Sequence, residues 1–496
     1  MEKNTFFQSI WGFIKGTFIQ SLKWILPNRS KEDNPNNEAP GVYTEEAADP
    51  PQAIEEVETA IPVFIGYTET KVNTPVKITS FNGYIEKFGG GTHHFGTIEI
   101  DPTGNIHLPD LKPIPDYRLF YSVKMFFANG GGKCWIISAG TYTGTVNNED
   151  LLNGLKLLKP EDEPTLLVFP DVNSPLNSGR YEEVYNEALD HCSDNLRFLI
   201  CDVEMVQDAN DTIGKSASEF RNKIGSNNLK FGAAYFPDLK TTLSYDFSED
   251  DIVIVKDGNQ YVLRHSDETV QAEPDKESES FFHVVDSPGK NTYQTIKKKL
   301  NSIQLELPPS GAVAGIYVRV DYSRGVWKAP ANVSLNGVTS PTVRIDDHSQ
   351  SLLNVHSSGK SINAIRSFEG RGIMVWGART LAGNDNEWRY VPVRRFFNMV
   401  EESAKNATER FVSEPNNSTT WSKIKTMLEN YLYTLWKSGA MAGAKPDEAY
   451  FVKLGLGETM TARQIEEGQM IIVIGIAAVR PAEFTILQYS HKMLEA

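Results

Sequence analysis

The chain has 496 residues and a formal net charge of −15, with 40% hydrophobic and 23% charged residues. That length exceeds one compact core and predicts about two to four domains. The acidic balance excludes general binding to nucleic acid or an anionic membrane surface. Cys134, Cys192 and Cys201 are odd in number and form no CxxC, which excludes a disulfide framework and fits a reducing compartment.

Residues 1–28 place Phe6, Phe7, Ile10, Trp11, Ile14, Phe18, Leu22 and Ile25 at helical spacing, with Lys3, Lys15 and Lys23 between them. This amphipathic pattern admits a helix docked on a neighbouring subunit, an interfacial membrane helix, or a removed or disordered segment. Residues 29–46 begin as a polar linker, and Pro40 then favours an extended segment through Glu46. Ala60–Thr68 reads as a buried strand. Asn73–Phe88 reads as a strand, a turn and a short helix. His93-His94 sits in a glycine-rich loop with no third ligand at metal spacing. Tyr117–Ala128 is helical, and Asn129-Gly130 ends it before the strand Lys133–Ser138. The glycines at 130–132 follow a helix and precede a strand, the reverse of a phosphate loop.

From Leu151 to Val203 helices and strands alternate, which predicts an α/β layer with a partly parallel sheet. Phe231–Phe236 continues it. Gly214-Lys215-Ser216 has a phosphate-loop ending. However, Ala209 replaces the opening glycine, and Asp208 and Asp211 oppose an anion, so an ordinary loop feeding a helix is expected. Asp251–His265 is a hairpin about Asp257-Gly258. Thr269–Ser280 is a charged surface loop, and 241–290 reads as an outward elaboration.

From Ser310 the chain is dense in glycine, aromatics and arginine. Gly311, Gly315 and Gly325 mark close approaches or turns. Asp346-Asp347-His348 reads as a solvated loop. Ile373–Trp376 is a short strand and Val391–Thr408 a helix. A long amphipathic helix then runs from a cap at Ser418–Thr420 and buries Trp421, Ile424, Leu428, Leu432, Leu435 and Trp436. Gly439 and Gly443 end it. Two apolar strands follow, separated by Arg480-Pro481. The second closes the sequence and needs a neighbour for its backbone groups. No Ser-His-acid, Cys-His or paired-carboxylate arrangement stands out, which points away from an enzyme, and no cofactor or metal is expected. Arg366, Arg371, Arg379, Arg389, Arg394 and Arg395 cluster in an acidic chain. This suits either interface ion pairs or local pairing with Glu369, Asp385 and Glu387.

Five blocks, in order, resemble the contractile tail sheath proteins of myophage tails, R-type bacteriocins and extracellular contractile injection systems. They are APGVYTEE at Ala39–Glu46, ANGGGKCWII at Ala128–Ile137, SGAVAGIYVRVDYSRGVWKAPAN at Ser310–Asn332, RSFEGRGIMVWGARTL at Arg366–Leu381, and LWKSGAMAGAKPDEAYFVK with VIGIAAVRPAEFTI near the end. The resemblance implies a multidomain α+β and α/β fold with no fuel site. An inner sheath domain would be built from residues 47–75 and 310–481, an outer α/β domain would be inserted at 76–309, and the arms at 29–46 and 482–496 would be exchanged. Pro40, Gly41, Val42, Tyr43 and Thr44, and Phe484, Ile486, Leu487 and Tyr489, would then pair with neighbouring subunits. The partners implied are further copies in stacked rings, an inner tube, and baseplate and terminator or cap proteins. Assembly is expected in a bacterial cytoplasm, as part of a phage tail or contractile injection particle. Arg389, Arg394, Arg395, Lys423, Lys425 and Lys437 are the expected tube-facing residues. The rival readings are an α/β enzyme and a membrane-associated structural protein using residues 1–28.

Overall fold

The computed structural model describes residues 53–91, 97–109, 112–247, 252–263 and 291–482. The expectations for 1–28, for the arm at Pro40–Thr44, for His93-His94, for the 264–290 loop and for Phe484–Tyr489 fall outside them. The chain divides into two compact units, one of Thr59–Arg324 with Ala329–Val391, the other of Gly325–Lys328 and Pro392 onward together with the segment preceding Thr59.

The first unit is built on a sheet which, among the described residues, has nine strands. Their order is Val333–Ser334, Gly372–Val375, Ile362–Phe368, Gly232–Phe236, Phe198–Asp202, Leu166–Val168, Pro62–Thr68, Cys134–Thr141, Val76–Ile78. The strands from Ile362–Phe368 to Cys134–Thr141 run parallel, and antiparallel strands flank them on both sides. The alternation along each strand sorts the side chains. Phe64, Ile136, Val168 and Ile200 join one core, and Val63, Ile65, Ile137, Leu167 and Leu199 join the other. Both faces are therefore buried, as parallel sheets require. Helices Leu119–Ala128 and Ser310–Arg324 cover the first face; Asn148–Leu157, Tyr181–Asp194 and Thr212–Lys223 cover the second.

The helix Ser310–Arg324 crosses Leu119–Ala128 at backbone distance. A Cβ on Gly311 would sit 2.5 Å from the Ser122 carbonyl oxygen, and one on Gly315 would sit 2.5 Å from that of Phe126. Of the glycines read from sequence as close approaches or turns, Gly311 and Gly315 are close approaches inside a helix, and Gly325 lies just beyond it at positive φ. That helix carries no amphipathic signature because Ser310–Tyr317 is buried on every side.

The expected division at 47–75, 76–309 and 310–481 cuts across this sheet. Pro62–Thr68 pairs with Cys134–Thr141 and Leu166–Val168, and Ile362–Phe368 pairs with Gly232–Phe236. Parallel partners lie far apart in sequence, so local patterns do not show which segments share a sheet. The hairpin about Asp257-Gly258 forms as expected, with both residues at positive φ, but it is no separate elaboration. Its strand Val253–Lys256 pairs with Thr97–Ile100, and Ile254 packs with Ile98, Tyr293 and Ile296. Asp346 is a helix cap rather than part of a loop: its carboxylate accepts the Ser349 amide and opens the helix Asp347–Asn354.

In the second unit, helices Val391–Glu409 (from Pro392 on) and Ser418–Lys437 share a core of Phe396, Met399, Val400, Ile424, Leu428 and Leu432. Asn417, one residue before the expected caps, accepts the amides of Thr419 and Thr420. Gly439 and Gly443 stop the helix at positive φ. Ile54 and Val57 pack on the same core, where the Val57 amide donates to Ser403 Oγ at 3.0 Å.

Candidate functional site

The expected first C-terminal strand forms at Val473–Ile476. Its partner is Tyr450–Lys453, which follows the Lys445-Pro446 corner and was not anticipated as a strand. The pair is antiparallel, and Phe451 faces Gly475 across it. A Cβ on Gly475 would clash with the Phe451 ring, so the aromatic ring takes the space of the missing side chain. The chain beyond Ile476 turns back on the helix end, with the Ala442 amide donating to Ala477 O at 2.7 Å and the Ala477 amide to Ala449 O at 2.8 Å. Among the described residues this sheet has two strands, so each keeps an outer edge of backbone donors and acceptors. A groove of about 60 Å³ runs beside it, between Asp447–Phe451 and Gly475–Ala477.

The cations expected to face a tube do not form one patch. Arg394 and Arg395 are 4% and 3% exposed and present no open surface. Arg394 Nε donates to Asn398 Oδ1 at 2.8 Å, and its guanidinium lies 3.5 Å from Glu401. Arg389 turns back on its own loop and donates to the Asp385 carbonyl at 2.9 Å. Lys423 and Lys437 are exposed on the Ser418–Lys437 helix, and Lys425 is half-buried. At about 100° per residue, Lys423 and Lys437 share a stripe, whereas Lys425 lies about 160° round the helix from Lys423. The arginines of the first unit are tied locally. Arg366 reaches Asp347 at 2.8 Å, Arg371 stacks on Phe368 and Trp376, and Arg379 donates to Gly383 O at 3.1 Å. These contacts are local, as one of the two expected readings has it, and Arg389 reaches one of the expected residues, Asp385, through its carbonyl.

The first unit also has the place where open parallel sheets take ligands. Strand order reverses at Pro62–Thr68, and the crevice lies beyond the carboxyl ends of that strand and of Leu166–Val168. Here it is filled by the chain's own carboxylate. Asp171, fully buried, accepts the Tyr67 amide at 2.7 Å and the Arg118 amide at 2.5 Å, and Gly66 leaves the room it occupies. One strand along, Asp202 accepts the Ser310 amide at 2.8 Å and the Ser310 hydroxyl at 2.5 Å. The two aspartates thus sit at the N-termini of the two crossing helices, where unpaired amides favour an anion. Sequence reading missed both. For Asp171 the signal was the Phe-Pro-Asp ending after an apolar strand at Phe169–Asp171, repeated at Phe236–Asp238; Asp202 follows its strand without that ending. Gly214-Lys215-Ser216, expected as a loop feeding a helix, lies in the first turns of the helix Thr212–Lys223, where Asp211 caps Gly214 and Asp208 pairs with Lys215.

This fold matches the sheath of an extracellular contractile injection system, the PVC sheath in its contracted state. The match has a TM-score of 0.63 and 31% identity, over 92% of this chain and 99% of the other. The chain belongs to the contractile tail sheath family. The helical sheath of the anti-feeding prophage in its contracted state is similar to the same degree, with a TM-score of 0.61 and 32% identity over 92% and 100% of the two chains. Family models for the phage tail sheath protein central domain and the phage tail sheath C-terminal domain match residues 256–381 and 383–490. Among curated sheath relatives, the tail sheath protein of Burkholderia phage BcepMu is 29% identical over 150 residues, 29% of this chain and 31% of that protein. That of Enterobacteria phage T4 is 22% identical over 153 residues, 31% of this chain and 22% of that protein. The aligned region thus spans about a third or less of those two relatives.

Proposed function

We propose that this sheath protein is a structural subunit that polymerises around an inner tube and contracts to drive it through a target envelope. The end-to-end likeness to a sheath protein of a contractile injection system carries this reading. Its partners are further copies of itself, the tube, and baseplate and terminator or cap proteins, and it assembles in a bacterial cytoplasm. The arms at Pro40–Thr44 and Phe484–Tyr489 add strands to the hairpins of neighbouring copies, and the open edges of Tyr450–Lys453 and Val473–Ile476 support that role. Residues 1–28 dock on a neighbouring subunit.

Contraction draws on packing rather than on fuel. An extended lattice stores free energy that is released as rigid units re-dock, with the exchanged strands as hinges. About 1–3 kcal/mol per interface, summed over many copies, suffices. Asp171 in the sheet crevice supports a non-enzymatic role, since a ligand there would have to displace a buried, hydrogen-bonded carboxylate. On the second unit, the Lys423 and Lys437 stripe is the favoured tube-facing surface.

Negative-stain electron microscopy of the purified protein tests the proposal. Long, hollow, striated tubes are expected, formed alone or after addition of the tube protein. Val42→Pro or Ile486→Pro should leave a folded monomer that makes none. A folded wild-type protein that forms no polymer under either condition would overturn it.

A further inference from the structure

Three acidic side chains gather at the carboxyl ends of adjacent parallel strands. Asp171 follows Leu166–Val168, Asp202 ends Phe198–Asp202, and Asp238 follows Gly232–Phe236. Asp171 and Asp202 are 0% and 2% exposed, and Asp238 is half-buried. One cation, the buried Arg118, acts on all three, and its Nε has no hydrogen-bond partner. Three carboxylates around one guanidinium leave negative charge that the low-dielectric surroundings do not offset. The geometry points to a proton-binding cluster: the α/β unit takes up protons on folding at its Asp171 and Asp202 helix latches, so mild acid reinforces it.

Burial is the largest influence on each latch, and at Asp202 the neighbouring Asp238 adds to it. Asp202 faces Asp238, while the Ser310 hydrogen bonds and Arg118 favour its charged form; Tyr185 and Cys201 beside it are neutral, held up by burial and by Asp202 itself. Asp238 faces Glu306 and Glu204. Around Asp171 stand Arg118, whose charge favours the carboxylate, and the neutral phenols of Tyr67, Tyr84, Tyr117 and Tyr142. Burial outweighs the donated amides and lifts Asp171 to about 6 and Asp202 to about 7; burial also lifts Asp238 to about 6. A carboxylate raised in the folded state contributes stability at low pH that is lost as pH rises toward its folded value. For these groups the window runs from about pH 4 to pH 7.

Equilibrium denaturant unfolding of the full chain, followed by tryptophan fluorescence at pH 5, 6, 7 and 8, tests this against Asp202→Asn. An uncharged amide does not titrate, and groups elsewhere cancel in the comparison. The stability advantage of wild type over the variant should shrink by about tenfold in folding constant per unit between pH 5 and 7. An advantage that stays constant from pH 5 to 8, or grows, overturns the inference. Asp171→Asn provides the same comparison if the first variant does not fold, with most of its loss complete by about pH 6. If neither variant folds at pH 5, where the wild-type groups are already uncharged, the inference fails as well.

Discussion

The Phe451 ring lies over the Cα of Gly475, its directly opposed partner in the C-terminal hairpin. A side chain at 475 must displace the ring. Gly475→Val should destabilise the second unit by about 1–3 kcal/mol, as overpacking does. It should also reduce polymer formation more than its stability loss alone explains. Thermal unfolding and particle counts on one preparation measure both. Adding Phe451→Ala should recover part of the loss, because the two changes share one contact.

The crossing of Leu119–Ala128 by Ser310–Arg324 is less forgiving. At Gly315 the obstacle is a backbone carbonyl, which cannot rotate away as a side chain can. Gly315→Val should cost about 3 kcal/mol or more, at the upper end for overpacking. The loss should be visible as a lowered unfolding midpoint by circular dichroism. Gly132→Val, at a glycine with open space around it, should have little effect.

Arg221 holds two elements together by their carbonyls. Its Nε donates to Lys360 O at 2.9 Å, and its Nη2 to Leu352 O and Leu353 O at 2.9 and 2.8 Å. Arg221→Ala leaves these acceptors without their charged donor and should destabilise by about 2–4 kcal/mol. Arg221→Lys, which cannot span all three, should recover less than half of that. Denaturant midpoints at constant slope report it.

His191 titrates in the opposite sense to the aspartate cluster. Burial, and then the Arg197 charge, depress it to about 4. Its Nε2 lies 2.7 Å from an Arg197 nitrogen, which can only donate, so the imidazole there is neutral. A depressed group contributes stability above its unfolded value that is lost as pH falls toward its folded one. The window is about pH 6.5 down to 4. His191→Gln should flatten the stability profile across it and leave the profile above pH 7 unchanged.

What the sequence revealed follows the range of the interactions. The Pro62–Thr68 strand, the alternation from Asn148 to Asp202 and the Ser418–Lys437 helix were legible, because their burial pattern is local. The Ser310–Arg324 helix was not, because a helix buried all round has no polar face to set its period, and its glycines mimic turns. Tyr450–Lys453 was hidden behind a proline corner and is a strand only by virtue of Val473–Ile476. The expected tube-facing set rested on charge alone. Charge does not report that Arg394 points along its own helix to Asn398 and Glu401 while Lys423 remains open. The strand-end aspartates were missed because their partners, the amides of Tyr67, Arg118 and Ser310, arrive from distant segments.

The second unit also has a consequence in time. Val57 and Ser403 meet across 346 residues, and Val326 joins the same core. A ribosome releases Val57 long before the helices it packs on exist. Throughout synthesis the nascent chain therefore lacks the hairpin that offers open strand edges, while the α/β unit has its parallel strands in hand by Phe368. Translation order therefore places the hairpin and its open edges after the strands of the α/β unit.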